Sequence, residues 1–481
     1  MKTLLARFAS VALAVATASA APSLTIYNQD FAVVRDTIPL DLKPGVNALI
    51  YPGATAQVEP DSVILRDPTG AHSLQILEQN YRNDPVTQEL LLSLYEGKTI
   101  NFTHEYLLAN STTTQIIPGR VIRSGYVPGG GSEQPIIEVH GTLQFSLPGE
   151  PRFPSLGDDT VLHPSFTWQL QSDVPGAFDA EIGYVTGGFS WSASYNVVAP
   201  ETGDTVDLIG WVTLKNESGR TFSDAHIKVL AGDVNKIQPM PRPMRAVFAR
   251  AMPMVAGAAE PAVTEKAFDE YHLYSITRPT TLRDRETKQV EFVSATAVKA
   301  PVIYQYDGAD EGFRFYGNVN WDQGFGTQSN KKVAILREFV NAETNHLGIP
   351  LPAGKLRFYR RDDDGQLEFT GENTIDHTPR NETIHLTTGN AFDLVGERKQ
   401  TDFRTDTNAR KLDESFEITL RNRKKTPVTI RVVEHLSRWS NWTIIAKSDN
   451  FQKTDAQTIQ FAVPVAPDQE RKVTYTVHYS W

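Results

Sequence analysis

Two short motifs carry the residue types of serine acyl transfer. Ser329-Asn330-Lys331-Lys332 fits S-x-x-K, and Ser448-Asp449-Asn450 fits S-D-N. That chemistry needs the serine to open a helix and a K-T-G strand to line the pocket further on. Lys453-Thr454-Asp455 lacks the glycine and follows Ser448 almost at once, and the flanking residues alternate as strands do. Without their structural context, the two matches read as coincidence. Gly188-Phe189-Ser190-Trp191-Ser192 misses the second glycine that a strained nucleophile turn requires. The chain has no Cys, which excludes thiol catalysis and thiolate metal sites.

Metal and acid–base sites are no better defined. The eleven His are scattered singly with no H-E-x-x-H, and the closest pair, His377 and His385, flanks an expected turn. Asn318-x-Asn320-x-Asp322 offers oxygens at alternate positions, as calcium loops do, but Gly324 comes one place late and no Glu follows at the twelfth position. A strand with one polar face fits that segment better. Asp158-Asp159 and Asp310-Glu311 lie in glycine-containing turns. Acid–base work needs two carboxylates at a set separation across a cleft, which only the fold can supply. The sequence therefore assigns no catalytic residue, cofactor or metal.

The elements that would position any site are strands. Period-two alternation, the mark of a half-buried strand, runs through Leu143-x-Phe145-x-Leu147, Phe166-x-Trp168-x-Leu170 and Trp191-x-Ala193-x-Tyr195-x-Val197. It recurs in Phe416-x-Ile418-x-Leu420, Val428-x-Ile430-x-Val432, Ile459-x-Phe461-x-Val463 and Val473-x-Tyr475-x-Val477-x-Tyr479-x-Trp481. Asp362-Asp363-Asp364-Gly365 and Asn216-Glu217-Ser218-Gly219 supply turn chemistry, and the first joins Leu356-x-Phe358 to Leu367-x-Phe369 as a hairpin. One short helix is expected after Asp84-Pro85, through Leu90, Leu91 and Leu94 to Gly97. The fold class is all-β: tandem Ig-like sandwiches, a small barrel-like N-terminal part and one short helix. The expected organisation is a β unit over 21–83, a small barrel-like domain with the helix over 84–155, a central sandwich region over 160–400 and a terminal Ig-like sandwich over 401–481.

Composition sets the compartment and the partners. Residues 1–20 read as a secretory signal, with Lys2 and Arg7, an apolar Phe8–Ala16 stretch too short to span a bilayer, and Ala18-Ser19-Ala20 before a cut near Ala20. No later run is long and apolar enough for a membrane helix. The expectation is a periplasmic or secreted protein. The closing strand ends on Trp481, as outer-membrane barrel strands often do, but short strands at irregular spacing argue against such a barrel. A formal charge of -10 argues against nucleic acid, which needs a basic face. The local exception, Arg421, Arg423, Lys424 and Lys425 before Pro427, reads as a solvated hairpin tip.

Residues 236–264 stand apart. Prolines prevent regular structure in their first half, and all four Met of the mature chain, Met240, Met244, Met252 and Met254, lie here. A partly ordered loop follows, either a tolerated insertion or a docking strip that includes Met240, Met244, Arg245, Phe248 and Met252, with Val247 and Phe248 as anchors and Arg242, Arg245 and Arg250 as charge contacts. Pro128-Gly129-Gly130-Gly131 reads as a second mobile loop.

Three stretches carry a family resemblance: Trp191-Ser192-Ala193-Ser194-Tyr195-Asn196, Gly210-Trp211-Val212-Thr213-Leu214-Lys215-Asn216 and Leu230-Ala231-Gly232-Asp233-Val234-Asn235. With Thr287-Lys288-Gln289, Ile349-Pro350-Leu351-Pro352-Ala353-Gly354-Lys355 and Arg438-Trp439-Ser440-Asn441-Trp442, the chain resembles the domain-of-unknown-function 4139 family over roughly 160–481. The Pro/Met/Ala-rich insertion is similar to that family's variable loop. The resemblance implies β-sandwich architecture and an exported, envelope-associated protein, and supplies no activity. Longer relatives of the mucoidy-inhibitor type carry an N-terminal coiled coil. This chain has no sustained heptads, so no role tied to that coil carries over. The leading expectation is a non-enzymatic protein presenting loops and edges to an envelope protein or polysaccharide. A hydrolase whose acidic residues meet only in the fold is the alternative.

Overall fold

A computed structural model describes residues 21–83, 86–108, 111–127, 133–156, 162–232, 234–236, 263–268, 270–309 and 318–481. The expected signal segment, the glycine loop at 128–131, Asp158-Asp159 and Asp310-Glu311 lie outside the described residues. The fold is all-β, as the alternation requires. Among the described residues the one α-helix is Gln88–Leu94. Its cap is Thr87, whose hydroxyl accepts from the Leu90 amide at 3.1 Å, so the first turn's orphan donor is met. Asp84, expected to cap, lies outside the described residues.

The chain divides into two compact units: Met1–Ser190 with Lys215–Ile227 and Pro279–Glu286, and Trp191–Leu214 with Lys228–Arg278 and Thr287–Trp481. In the first unit, Ser23–Tyr27, Phe31–Leu42, Gly176–Gly187 and Ile64–Arg66 pair in that order, all antiparallel. A three-stranded sheet places Ser165–Ser172 between Gly45–Tyr51 and Gln75–Arg82. Phe166, Trp168 and Leu170 point inward, as their spacing demands. The barrel-like part is a five-stranded sheet in the order Glu150–Arg152, Thr99–Leu108, Ser111–Arg123, Ile136–Val139, Thr142–Gln144. Leu92 of the helix and Tyr95 at its C-cap join Phe102, Val121 and Ile137 in its core. The expected strand through Leu143, Phe145 and Leu147 shrinks to Thr142–Gln144, with Leu143 and Phe145 exposed. Alternation there marks a short edge with no layer packed over it, and of the three only Leu147 reaches the core.

In the second unit, Phe189–Ala199 runs parallel to Gly354–Arg361, which forms the expected hairpin with Leu367–Ile375. Gly365 takes φ +84° in its turn, a conformation that strains any residue with a Cβ. A nine-stranded sheet follows the order Trp442–Lys447, Glu470–Ser480, Lys411–Asn422, Thr383–Asp406, Lys332–Val340, Val302–Asp307, Val428–His435, Thr458–Val465, Phe451–Lys453. It draws in strands from both sides of residue 400. Strands from its two ends face each other across one core, in which Phe416, Ile418 and Leu420 meet Ile430, Val432, Ile459, Phe461, Val463, Val473, Tyr475, Val477 and Tyr479. Thr383–Asp406 spans 24 residues, so the expectation of uniformly short strands does not hold. The outward positions of Glu470–Ser480 are Lys472, Thr474, Thr476 and His478, a polar face unlike one that meets lipid.

The basic segment after Arg421 is not a hairpin tip. Lys411–Asn422 and Val428–His435 pair with other strands, and the residues between them arch from one face of the sandwich to the other. Arg421 is paired to Glu397 and Glu470, and Lys424 lies over the Tyr304 ring. Asn422, fully buried, holds the arch: its amide donates to the carbonyls of Thr426, Val465 and Ala466 at 2.9–3.2 Å, and its oxygen accepts from the Lys424 amide. Replacing Asn422 with Ala strands those carbonyls, and a loss of about 2–4 kcal/mol in urea unfolding is expected.

Candidate functional site

The charged centre of the second unit arises by extending the alternation of its core strands. Two residues before Phe416 stands Glu414, and two after Val432 stands Glu434. Leu394, Gly396 and Arg398 share one face of the long strand, and all three are buried. Period two therefore drives two carboxylates and a guanidinium into the core, beside the inward Tyr475 and Tyr479.

Each buried charge meets a partner. Arg398 Nε donates to Glu434 at 2.8 and 3.1 Å, and its side chain and that of Glu434 are 3% and 0% exposed. Tyr475 donates its hydroxyl to Glu434. The Arg398 guanidinium lies 3.7 Å from the Phe416 ring centroid and donates to the Gly326 carbonyl. Across from it, Arg438 Nε donates to Glu414 at 2.8 Å, and Tyr479 and Gln400 donate to the same carboxylate. Burial raises the Glu414 pKa against the pull of Arg438. Burial, then the neighbouring carboxylates, push both tyrosines well above the ordinary range, so they remain donors. Burial disfavours the Arg398 cation, yet Glu434 and Tyr475 outweigh it and its pKa is raised.

The second arginine also ties down a loop. Arg438 Nη1 donates to the carbonyls of Asn320 and Asp322 at 3.0 and 2.8 Å, and Nη2 to that of Phe325 at 2.8 Å. Its guanidinium sits between the Phe325 and Phe403 rings, 5.4 and 5.0 Å from their centroids. The cleft above is lined by Gly326, Glu414, His435 and Ser437 and has room for about one water molecule. Two acids and two bases thus converge, but their hydrogen bonds are spent on one another.

A comparable cluster lies in the first unit. Arg220 donates to Asp36 at 2.6 Å, to the Tyr51 hydroxyl at 2.8 Å and to the Gly53 carbonyl. Burial, offset by Arg220, raises the Tyr51 pKa far above its usual value.

The motifs singled out in the sequence take structural roles. Ser329 precedes the strand Lys332–Val340, where its hydroxyl lies 3.3 Å from that of Tyr306. Ser448 sits after Trp442–Lys447 and accepts from the Thr474 amide at 2.9 Å. Neither opens a helix. Ser190 lies within the strand Phe189–Ala199. Asn318–Asp322 is a looped segment rather than a strand, because Asn320 and Asp322 turn their carboxamide and carboxylate oxygens onto the amides of Asp322 and Gly324. His377 accepts from the Ala353 amide and His385 pairs with Glu338. The one group of three metal-type ligands among the described residues is the exposed turn Asp362, Asp363 and Asp364. The docking strip with Met240, Met244, Arg245, Phe248 and Met252 lies outside the described residues.

The model of one family, Domain of unknown function (DUF4139), matches residues 180–481. The match covers most of the chain, and the chain belongs to that family. No curated protein matches it.

Removing one member of a buried ion pair leaves the other uncompensated. Glu434→Gln is expected to lower stability in urea by about 3–5 kcal/mol, and the double variant Arg398→Met/Glu434→Leu to recover most of that loss. His435 contributes a pH dependence. Its Nε2 meets Asp307 at 2.8 Å, and this hydrogen bond raises its pKa above 6.5 against the opposing effect of burial. The stabilisation is complete below the unfolded value near 6.5 and is lost as pH rises through the raised folded value. Unfolding free energy followed upward from pH 6.5 should fall, and His435→Gln should remove that slope.

Proposed function

We propose that the chain is an exported, non-enzymatic β-domain protein of the cell envelope that presents loops and sheet edges to a protein or polysaccharide partner. One observation carries the non-enzymatic part: Glu414 and Glu434 are both buried, and each is held by an arginine and a tyrosine. A hydrolytic pair needs one acid free to give its proton and one base free to act on water, with room for substrate between them. Here the acids serve the core, and the adjoining cleft admits about one water. Export rests on the pattern of residues 1–20, with its positive start, short apolar stretch and Ala18-Ser19-Ala20. The segment 236–264, with its Met, Pro and Arg residues, is the proposed docking strip.

Epitope-tagged protein is expected in the periplasmic or culture fraction with its N-terminus near Ala21. Unprocessed protein in the cytoplasm would refute the export reading. Deleting residues 240–256 is expected to remove bound species from envelope pull-downs, and an unchanged set would rule out the docking strip.

A further inference from the structure

The buried Arg438 guanidinium grips two carbonyls that flank a single residue. They belong to Asn320 and Asp322, and the residue between them is Trp321. The hold is reinforced on both sides, since the Asn320 amide donates to the Arg438 carbonyl and the Asn320 side chain accepts from the Asp322 amide. A fully desolvated cation, neutralised by Glu414, thus fixes the backbone beneath an indole that is 51% exposed. A core-anchored backbone under a half-exposed aromatic ring is more than packing alone requires, because half of that ring stays in water. It is what a preorganised recognition surface requires.

The surroundings narrow what the ring would take. Trp321 meets Trp481 edge to face, with centroids 5.3 Å apart, so the two indoles form a corner rather than a closed stack. Asn441 and Ser480 are joined beside it by a 2.8 Å side-chain hydrogen bond, and the Trp481 amide is fixed to the Arg410 carbonyl. The rim is thus carboxamide and hydroxyl with charged neighbours, since Lys411 pairs across the sheet with Ser480 and Asp322 follows Trp321 in the chain, and it is not the apolar surround of a protein hot spot. The nearby Trp442 is already used: Lys453 lies 4.6 Å over its ring and its Nε1 donates to the Ala456 carbonyl. A half-exposed indole with hydrogen-bonding and charged groups around it matches a pyranose ring, which offers a C–H face for stacking and hydroxyls at its edge.

We propose that Trp321, with Trp481, Asn441 and Ser480, forms a carbohydrate-stacking platform for a polysaccharide. This rests on the binding-protein reading and assigns it a ligand class. The test uses the purified full chain with protein-stripped peptidoglycan, chitin and cellulose as insoluble probes, and dextran in affinity gels. Wild-type protein is expected to be retained on at least one of these. Trp321→Ala should bind that glycan about tenfold more weakly, as loss of an aromatic anchor does, and Trp321→Phe should restore part of the retention. An unchanged urea midpoint for Trp321→Ala checks that the fold is intact. Retention of Trp321→Ala equal to wild type, or no retention of wild type on any probe, would overturn the platform. Capture of envelope proteins alone would also overturn it, yet leave the broader binding reading standing. Failure to find the protein outside the cytoplasm would defeat that reading instead.

Discussion

The second unit depends on two arginines placed where apolar side chains would ordinarily pack. Arg398 and Arg438 are almost wholly buried, and Glu434 and Glu414 compensate their charge where water cannot. The pairs connect strands that the sheet order holds far apart: Arg398 lies on Thr383–Asp406, Glu434 on Val428–His435 and Tyr475 on Glu470–Ser480. Apolar contacts would allow these layers to slide. Directed hydrogen bonds between buried charges fix one register, at a cost in desolvation that the surrounding Phe416, Phe461 and Tyr475 rings help to offset. The same guanidinium that completes the core reaches outward to hold the 320–325 loop, so core and surface are parts of one hydrogen-bonded assembly.

Buried polar groups recur as fasteners. Asn422 closes the arch between the two faces. Asn341 does the same for the 348–349 and 378–379 segments, donating to the carbonyls of Ile349, Thr378 and Pro379 and accepting from the Gly348 amide. Asn216 bridges Arg220 and Leu282. Each is fully buried and sits where a strand ends. A side-chain amide there supplies the partners that loop carbonyls lose when they leave water. A single close approach also matters: Tyr306 lies so near Gly396 that any Cβ would fall 2.2 Å from its ring.

Much of the fold was legible because its strands obey period two. The inward faces of Phe166–Leu170, Trp191–Val197, Phe416–Leu420 and Val473–Tyr479 are those the alternation assigns. The reading failed where alternation had no layer to face, at Leu143 and Phe145, and where a turn joined two strands that do not pair, after Arg421. The charged cluster was missed for a related reason. The alternation of Phe416–Leu420 and Val428–Val432 continues one step of two to Glu414 and Glu434, while Arg398 follows only Leu394 and Gly396, too short a run to mark a strand. A charge at a core position of an otherwise apolar face is itself the signal. Which arginine meets which carboxylate depends on contacts between strands dozens of residues apart, and no local pattern encodes that.

The sheet order also dictates when the second unit can form. Val302–Asp307 pairs in parallel with Val428–His435, and Glu470–Ser480 lies between Lys411–Asn422 and Trp442–Lys447. The penultimate strand of this sheet is therefore the last to be synthesised. Until it arrives, Lys411–Asn422 presents an unpaired edge, and Glu434 has no tyrosine to satisfy it. Assembly of this half must wait for Glu470–Ser480, and its pairings join segments remote in sequence, a topology that folds slowly. Its nascent form is thus the period of greatest exposure to mispairing with another copy of itself.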